Sequence, residues 1–329
     1  MMRTRPDVLV LGAGGVLGAA WMSGVLAGIE DGSGVDLRAC EHFVGTSSGA
    51  IVAAGLAAGE SPRRPARVQT RDDHPRRPRA SVAPPANGHD PTRSDRLDAP
   101  IRVLAGLTEL TVRTTRRASA WAIALSSPLA PVALRVGEPG GALTRSAALR
   151  LMPRAHGTLE ELERAIIPID EPFDGRLRIV AVRRDTGRRT VFGRPGAPPS
   201  SVLDAVLASC AVPWVVAPVR IAGRDYIDGA VWSPTNIDAA PAGRDTHVLC
   251  LNPIAGLSGP RHLSAFVRGA SRSRALLESQ ALRARGARVR VLSPDALSGA
   301  AIGTDLMDRG RQDAALRTGY GQGLAFARR

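Results

Sequence analysis

The sequence contains no lysine and very few aromatic residues. All 44 basic residues are therefore arginine, the aromatic content is 3% and the formal net charge is +14. Such a charge suits nucleic acid, but surfaces that bind unpaired bases also need aromatic side chains for stacking. We therefore expect no nucleic-acid partner. Anionic lipid headgroups are a better match for the charge, and a solvated arginine surface without a partner is the alternative.

Cysteine and histidine are also scarce, with three cysteines and six histidines in 329 residues. No CxxC pair occurs, and no two histidines are three or four positions apart, so we expect neither a metal nor another cofactor. The few cysteines favour a reducing compartment. No run of 18 apolar residues occurs, so the sequence predicts no transmembrane helix. The N-terminal segment imitates a signal peptide, but Asp7 and several glycines interrupt it. We expect a cytoplasmic protein, with peripheral contact with an anionic membrane as a second expectation.

The order of predicted elements indicates an α/β fold. Residues 7–12 and 42–44 predict buried strands, each followed by glycines and an apolar helix, which is a β-α-β-α beginning. Further elements are predicted at residues 159–166 (helix), 176–184 and 189–193 (strand pair), 202–210 (helix), 224–227 (extended), 247–253 (strand) and 263–286 (helix before a strand). We interpret residues 1–329 as one domain.

Two segments interrupt this order. Residues 61–102 are rich in proline and arginine and have no hydrophobic period, so we predict a disordered surface insertion. Residues 118–134 are apolar but contain Pro128 and Pro131. A core helix that ends at Ser127 is one interpretation of that segment, and a lid that touches a membrane is the other.

The segment Gly45-Thr-Ser-Ser-Gly49 has the G-x-S-x-G pattern of a nucleophile elbow. A sharp turn between a strand and a helix exposes the serine hydroxyl, and the crowded turn requires small neighbours. The pattern alone is weak, but a predicted strand precedes it and an apolar helix follows it. Ser47 is therefore a candidate nucleophile.

The glycine loop at residues 12–18 allows two interpretations, a dinucleotide site or an oxyanion hole. Leu17 replaces the last glycine of a dinucleotide motif, and Val44 leads into GTSSG without an acidic residue to bind a ribose, so we disfavour the first. If the two strands are neighbours, the backbone N–H groups of Gly14, Gly15 and Val16 face the same crevice as Ser47.

A third motif, Asp228-Gly229-Ala230, completes a resemblance to the patatin-like phospholipase family. The glycine loop, G-x-S-x-G and DGA occur in that family's order, and residues 208–236 are similar to its stretch around the catalytic aspartate. The resemblance covers most of the chain outside residues 61–140. It implies a three-layer α/β sandwich with a mostly parallel sheet and helices on both faces.

The resemblance also implies the chemistry and the substrate class. Ser47 would attack an ester carbonyl of a lipid or another acyl ester, and Asp228 would accept the serine proton. The glycine loop and the N–H of Ser48 would bind the oxyanion, without a cofactor. The supporting glycines are Gly12, Gly18, Gly45, Gly49 and Gly229.

The sequence departs from the family pattern at Ala13, where another glycine is common, and at Leu17, where a basic residue is common. Ala13 requires a negative φ, and Leu17 indicates a substrate preference other than phosphate-bearing lipids. Two alternative functions stay open. One is a Ser-Asp-His triad that uses His247 or His262, and the other is a lipid-binding regulator without catalysis.

Overall fold

The structure is a computed structural model that describes residues 4–65, 159–167, 170, 172–213, 215–258 and 261–328. Most of the predicted insertion, residues 66–102, and the apolar segment at residues 118–134 lie outside the described residues.

Eight strands and seven α-helices are described. The strands are β1 (Val8–Leu11), β2 (His42–Thr46), β3 (Leu177–Arg183), β4 (Arg189–Phe192), β5 (Val219–Ile221), β6 (Arg224–Asp228), β7 (His247–Leu251) and β8 (Arg288–Leu292). The helices are α1 (Gly15–Ser33), α2 (Ser48–Ala57), α3 (Glu160–Ile166), α4 (Val202–Ser209), α5 (Arg261–Arg283), α6 (Ala296–Ile302) and α7 (Gln312–Ala327).

The strands form one mixed sheet in the order β5-β6-β3-β2-β1-β7-β8, with β4 also paired to β3. The five strands from β3 to β8 along this order are parallel, whereas β4, β5 and β6 pair antiparallel. Leu9 and Leu11 of β1 belong to a core shared with α1, α2, α4 and α7, and Val8 and Val10 contribute to a second core that includes residues of α5. The prediction of a mostly parallel sheet with helices on both faces is confirmed.

Strand β3 brings two other strands end to end. Ile179 and Val180 pair with both β2 and β4, so those two strands lie on opposite edges of β3. Ala181 and Val182 pair with both β4 and β6, so β6 lies on the same edge as β2. Thr46 of β2 is opposite Val180, and Asp228 of β6 is opposite Ala181. The carboxyl ends of β2 and β6 therefore meet head-on.

Helix α1 is a core helix, because every residue from Val16 to Ile29 is buried. It begins at Gly15, so the last part of the glycine loop is its first turn. The sequence did not predict β5, α6 or α7. Helix α7 contains Gly319, Gly321 and Gly323, and this high glycine content disfavours a helix when local propensity alone is considered.

Glycines let α1 and α7 pack with their backbones in contact. A Cβ added at Gly24 or Gly28 of α1 would lie within 3.0 Å of α7 backbone atoms, and one added at Gly319 or Gly323 would lie equally close to α1. Helix α7 thereby fixes the position of α1, and through α1 it fixes the glycine loop.

We expect Gly323→Ala to destabilise the fold, because its Cβ would collide with the carbonyl oxygen of Val25. Overpacking of this kind costs about 1–3 kcal/mol of unfolding free energy. The matched control is Gly321→Ala in the same helix, where a Cβ meets nothing within 4 Å. Alanine there should stabilise the helix by about 0.5–1 kcal/mol. Denaturant unfolding of both variants checks the prediction, which equal effects of the two substitutions would contradict.

Candidate active site

Ser47 lies at the sharp turn between β2 and α2. Its backbone has φ 54° and ψ −126°, a conformation that a residue with a side chain rarely adopts. Two positions before and after it, Gly45 and Gly49 leave no room for a Cβ, because the turn packs against Ala50 and against the carbonyl of Leu11. This is the geometry of a nucleophile elbow.

Asp228 is the last residue of β6, and it meets Ser47 where β2 and β6 abut. The Ser47 hydroxyl donates a hydrogen bond of 2.7 Å from Oγ to Asp228 Oδ2. The other carboxylate oxygen, Oδ1, accepts from the N–H of Ala230 at 2.8 Å. Both carboxylate oxygens therefore accept a hydrogen bond, and the donor to one of them is the serine hydroxyl.

The environment of Asp228 changes its acidity. The residue is 1% exposed, and this burial raises its pKa to about 7, although the hydrogen bonds from Ala230 and Ser47 favour the charged form. A carboxyl with an ordinary pKa near 4 is a poor proton acceptor. Burial thus gives Asp228 a proton affinity suited to chemistry near neutral pH.

The glycine loop lies beside this pair, because β1 and β2 are parallel neighbours. The N–H groups of Gly12, Ala13, Leu17 and Gly18 all donate to backbone carbonyls. Among the described residues, no backbone carbonyl accepts from the N–H groups of Gly14, Gly15 or Val16. Ser48 begins α2, and its N–H likewise has no backbone acceptor in the described part of the chain. The first turns of two helices thus offer donors next to Ser47.

Three contacts hold the glycine loop in place. Gly15 has φ +60°, which favours glycine, and it packs against Leu306. The carbonyl of Leu306 also accepts the N–H of Leu17 at 3.0 Å. On the other side, Pro253 packs against Gly14 and Gly18. The segments after β7 and α6 therefore form two walls of the loop.

The two departures from the family pattern fit this loop. Ala13 is not among the residues with positive φ, and its N–H donates to the carbonyl of Pro234 at 2.8 Å. Leu17 is fully buried in the core, so a charge at this position would be buried with it. All five supporting glycines lie where an added Cβ would meet another atom within 3.0 Å: Gly12, Gly18, Gly45, Gly49 and Gly229.

Ser209, at the end of α4, supports the elbow and was not predicted from the sequence. Its Oγ accepts the N–H of Ser47 at 2.8 Å and donates to the carbonyl of Val180 at 2.7 Å. One hydroxyl thus joins the strained backbone of Ser47 to β3. The only sequence signal was its place in the family-like stretch before Asp228.

Asn236 is a second residue that the sequence analysis missed. Its Nδ2 donates to Thr46 Oγ1 at 3.1 Å and to the carbonyl of Ser233 at 2.6 Å, and lies 3.4 Å from the carbonyl of Gly229. Thr46 precedes Ser47 and Gly229 follows Asp228, so Asn236 connects the two chain segments that carry the candidate dyad.

Residues 9–241 match the protein family described as patatin-like phospholipase. This chain belongs to the patatin-like phospholipase family. Members of the family are lipid hydrolases, and the match includes Ser47, Asp228 and the whole glycine loop. No curated protein sequence matches the chain.

Two solved structures are similar to this patatin-like chain. VipD from Legionella pneumophila has 16% sequence identity and a TM-score of 0.45, with 99% of this chain and 67% of VipD covered. The type III effector protein ExoU has 15% identity and a TM-score of 0.35, with 98% of this chain and 53% of ExoU covered. The chain thus spans about half the length of ExoU.

The described residues of this patatin-like chain contain no hydrogen bond between a histidine and Ser47 or Asp228. His247 begins β7, and its backbone N–H donates to Asp7 Oδ2 at 2.7 Å. The side chain of His262 lies outside the described residues. Within the same described ranges, no group of histidine, cysteine and acidic side chains could hold a metal ion, and no helix is long and apolar enough to cross a membrane.

We expect Ser209→Ala to slow the reaction of Ser47, because the elbow loses the hydroxyl that holds its N–H. A misplaced nucleophile reacts roughly tenfold to a hundredfold more slowly. The measurement is the rate at which a fluorophosphonate probe labels Ser47. Ser201→Ala is the matched control, since Ser201 caps the other end of α4. It should lower stability by about 1 kcal/mol without slowing the labelling. Equal labelling rates in the two variants would refute a positioning role.

Proposed function

We propose that this chain is a lipid acyl hydrolase in which Ser47 is the nucleophile and Asp228 is the general base. The observation that carries the proposal is the 2.7 Å hydrogen bond between Ser47 Oγ and Asp228 Oδ2. This distance is suited to proton transfer, and the strained elbow places the hydroxyl at the end of a strand.

Two half-reactions use the same pair of side chains. Ser47 Oγ attacks the ester carbonyl while its proton moves to Asp228, and the tetrahedral intermediate then collapses. The alcohol leaves with the proton from Asp228, and the acyl group stays on Ser47. Water then attacks this acyl-enzyme, again giving its proton to Asp228, and the fatty acid is released as the Ser47 hydroxyl is restored.

The negative charge that forms on the carbonyl oxygen in the tetrahedral intermediate requires hydrogen-bond donors that already point toward it. We assign this role to the N–H groups of Gly14, Gly15 and Val16 and to the N–H of Ser48. Fixed donors of this kind typically contribute about 10²–10³-fold to the rate each. The contacts of Leu306 and Pro253 with the loop support a catalytic unit that extends beyond residue 241.

The net charge of +14 supports peripheral contact with an anionic membrane. Vesicle binding that weakens with added salt would support this contact. A panel of phospholipid, lysophospholipid and triacylglycerol substrates would identify the preferred lipid class.

Covalent labelling tests the dyad directly. We expect a fluorophosphonate probe to add its mass to the peptide that contains Ser47, because an activated serine attacks phosphorus. Ser47→Ala should abolish the labelling, and Asp228→Asn should lower its rate by at least about a hundredfold. His247→Ala and His262→Ala are the controls and should retain esterase activity. Labelling at another residue, or none in folded protein, would refute the proposal.

The pH dependence tests the role of Asp228. Its pKa of about 7 means that the carboxylate, the form that accepts a proton, disappears as the pH falls through 7. We expect the labelling rate at Ser47 to fall about tenfold per pH unit below that point. The residual rate of Asp228→Asn should show no such break at pH 7. A wild-type rate that stays constant between about pH 5 and 8 would contradict a role for Asp228 as base.

A further inference from the structure

Five arginines surround an open cleft that the proposed hydrolase reaction does not use. Two adjoining hollows of about 510 and 430 Å³ share Arg189, Val191 and Arg194 as wall residues. Arg188 lines the first hollow, whereas Arg178 and Arg285 line the second. We call these two hollows together the arginine cleft.

The charge of the arginine cleft is almost entirely positive. Among the described residues, its lining contains these five guanidinium groups and a single carboxylate, that of Asp238. Arg189 already pairs with Asp238 through two hydrogen bonds of 2.6 and 2.7 Å. Although burial opposes ionisation, the Arg189 guanidinium lowers the pKa of Asp238, so this carboxylate is charged. Four arginines of the cleft are left without a lining acid.

The remaining arginines have donors to spare. Arg178 donates from Nη1 to the carbonyl of Ala239 at 3.0 Å, but its buried Nε has no hydrogen-bond partner among the described residues. Burial lowers the pKa of Arg178, and repulsion from Arg194 lowers it further. Arg188, Arg194 and Arg285 are exposed, and no carboxylate in the described ranges forms an ion pair with them. In the part of the chain that the structure describes, these positive charges therefore converge without a carboxylate that neutralises them.

Other contacts hold the wall of the cleft in shape. The Arg189 guanidinium lies 5.4 Å from the ring centroid of Trp232 and donates to Asn236 Oδ1 at 3.1 Å. Its pair with Asp238 fixes the guanidinium from a third side. Arg189 is therefore a fixed wall residue, and the guanidinium groups beside it are available to a ligand.

We propose that the arginine cleft binds an anion that carries a phosphomonoester or pyrophosphate group. The arginine fork matches phosphate oxygens in a bidentate manner, and a multiply charged anion would neutralise several converging guanidinium groups at once. The two hollows share Arg194, so a pyrophosphate can contact both. The same chemistry is available from a free phosphate compound or from the headgroup of a phosphomonoester lipid.

Equilibrium binding tests the site independently of hydrolysis when the protein carries Ser47→Ala. We expect inorganic pyrophosphate to bind saturably in calorimetry, and Arg194→Gln to weaken that binding by at least about tenfold. Arg194 forms no hydrogen bond through its guanidinium within the described residues, so its loss should leave the fold intact. Arg285→Gln is a second variant expected to weaken binding in the same direction.

The matched control is Arg317→Gln, which removes the same charge from an exposed position of α7 outside the cleft. Its affinity for pyrophosphate should stay within about twofold of the parent protein, because distant surface charges are screened. Absence of saturable binding, or equal losses in Arg194→Gln and Arg317→Gln, would overturn the proposal.

Vesicle sedimentation separates the two sources of the phosphate. Phosphatidylcholine vesicles with and without phosphatidic acid are compared, using the same variants. Binding that requires phosphatidic acid and is lost in Arg194→Gln, but kept in Arg317→Gln, indicates a lipid headgroup. Pyrophosphate binding without vesicle binding indicates a free anion.

Discussion

Strand β3 determines where the candidate dyad is assembled. It pairs along one edge first with β2 and then with β6, which run toward each other. Strand β2 is parallel to β3 and strand β6 is antiparallel to it, so β2 and β6 end at the same point. Ser47 follows the end of β2 and Asp228 ends β6, so the two residues lie together there. The carbonyl of Val180, located at this junction, accepts the hydroxyl of Ser209, which in turn holds the N–H of Ser47. The glycine loop reaches the same place because β1 is the next parallel strand.

Two layers of the molecule hold this junction from opposite sides of the sheet. On one side, α4 supplies Ser209, while α7 holds α1 and Leu306 holds the glycine loop. On the other side, Glu278 of α5 is 4% exposed and accepts hydrogen bonds from Thr235 and from the N–H of Ile237. These bonds fix the segment that carries Asn236, which is also linked to Arg189 of the arginine cleft. The segments of the candidate active site and the arginine cleft thus share one polar network.

Short sequence patterns predicted those parts of the structure that depend on residues close together in the chain. The run VLVL is a buried strand, G-x-S-x-G forms the elbow, and the family resemblance indicated that Asp228 would lie near Ser47. Ser209 and Asn236 belong to no local pattern, because each acts on residues far away in the chain. Ser209 contacts Val180 and Ser47, 29 and 162 positions away, and Asn236 contacts Thr46, 190 positions away. Helix α7 was missed for another reason. Its glycines disfavour a helix in isolation and become favourable only against the backbone of α1.

The burial of Asp228 has a consequence for the stability of the chain. In the unfolded chain its pKa is near the ordinary 3.8, whereas in the folded protein it is about 7. The folded state therefore holds a proton that the unfolded state releases. This stabilising contribution is fully present below about pH 3.8, decreases as the pH rises and is lost once the pH has passed 7. The ionised form, which the proposed mechanism requires, is the one that the fold tolerates least. At this residue, the pH range that favours the proposed catalysis and the pH range that favours folding lie on opposite sides of neutrality.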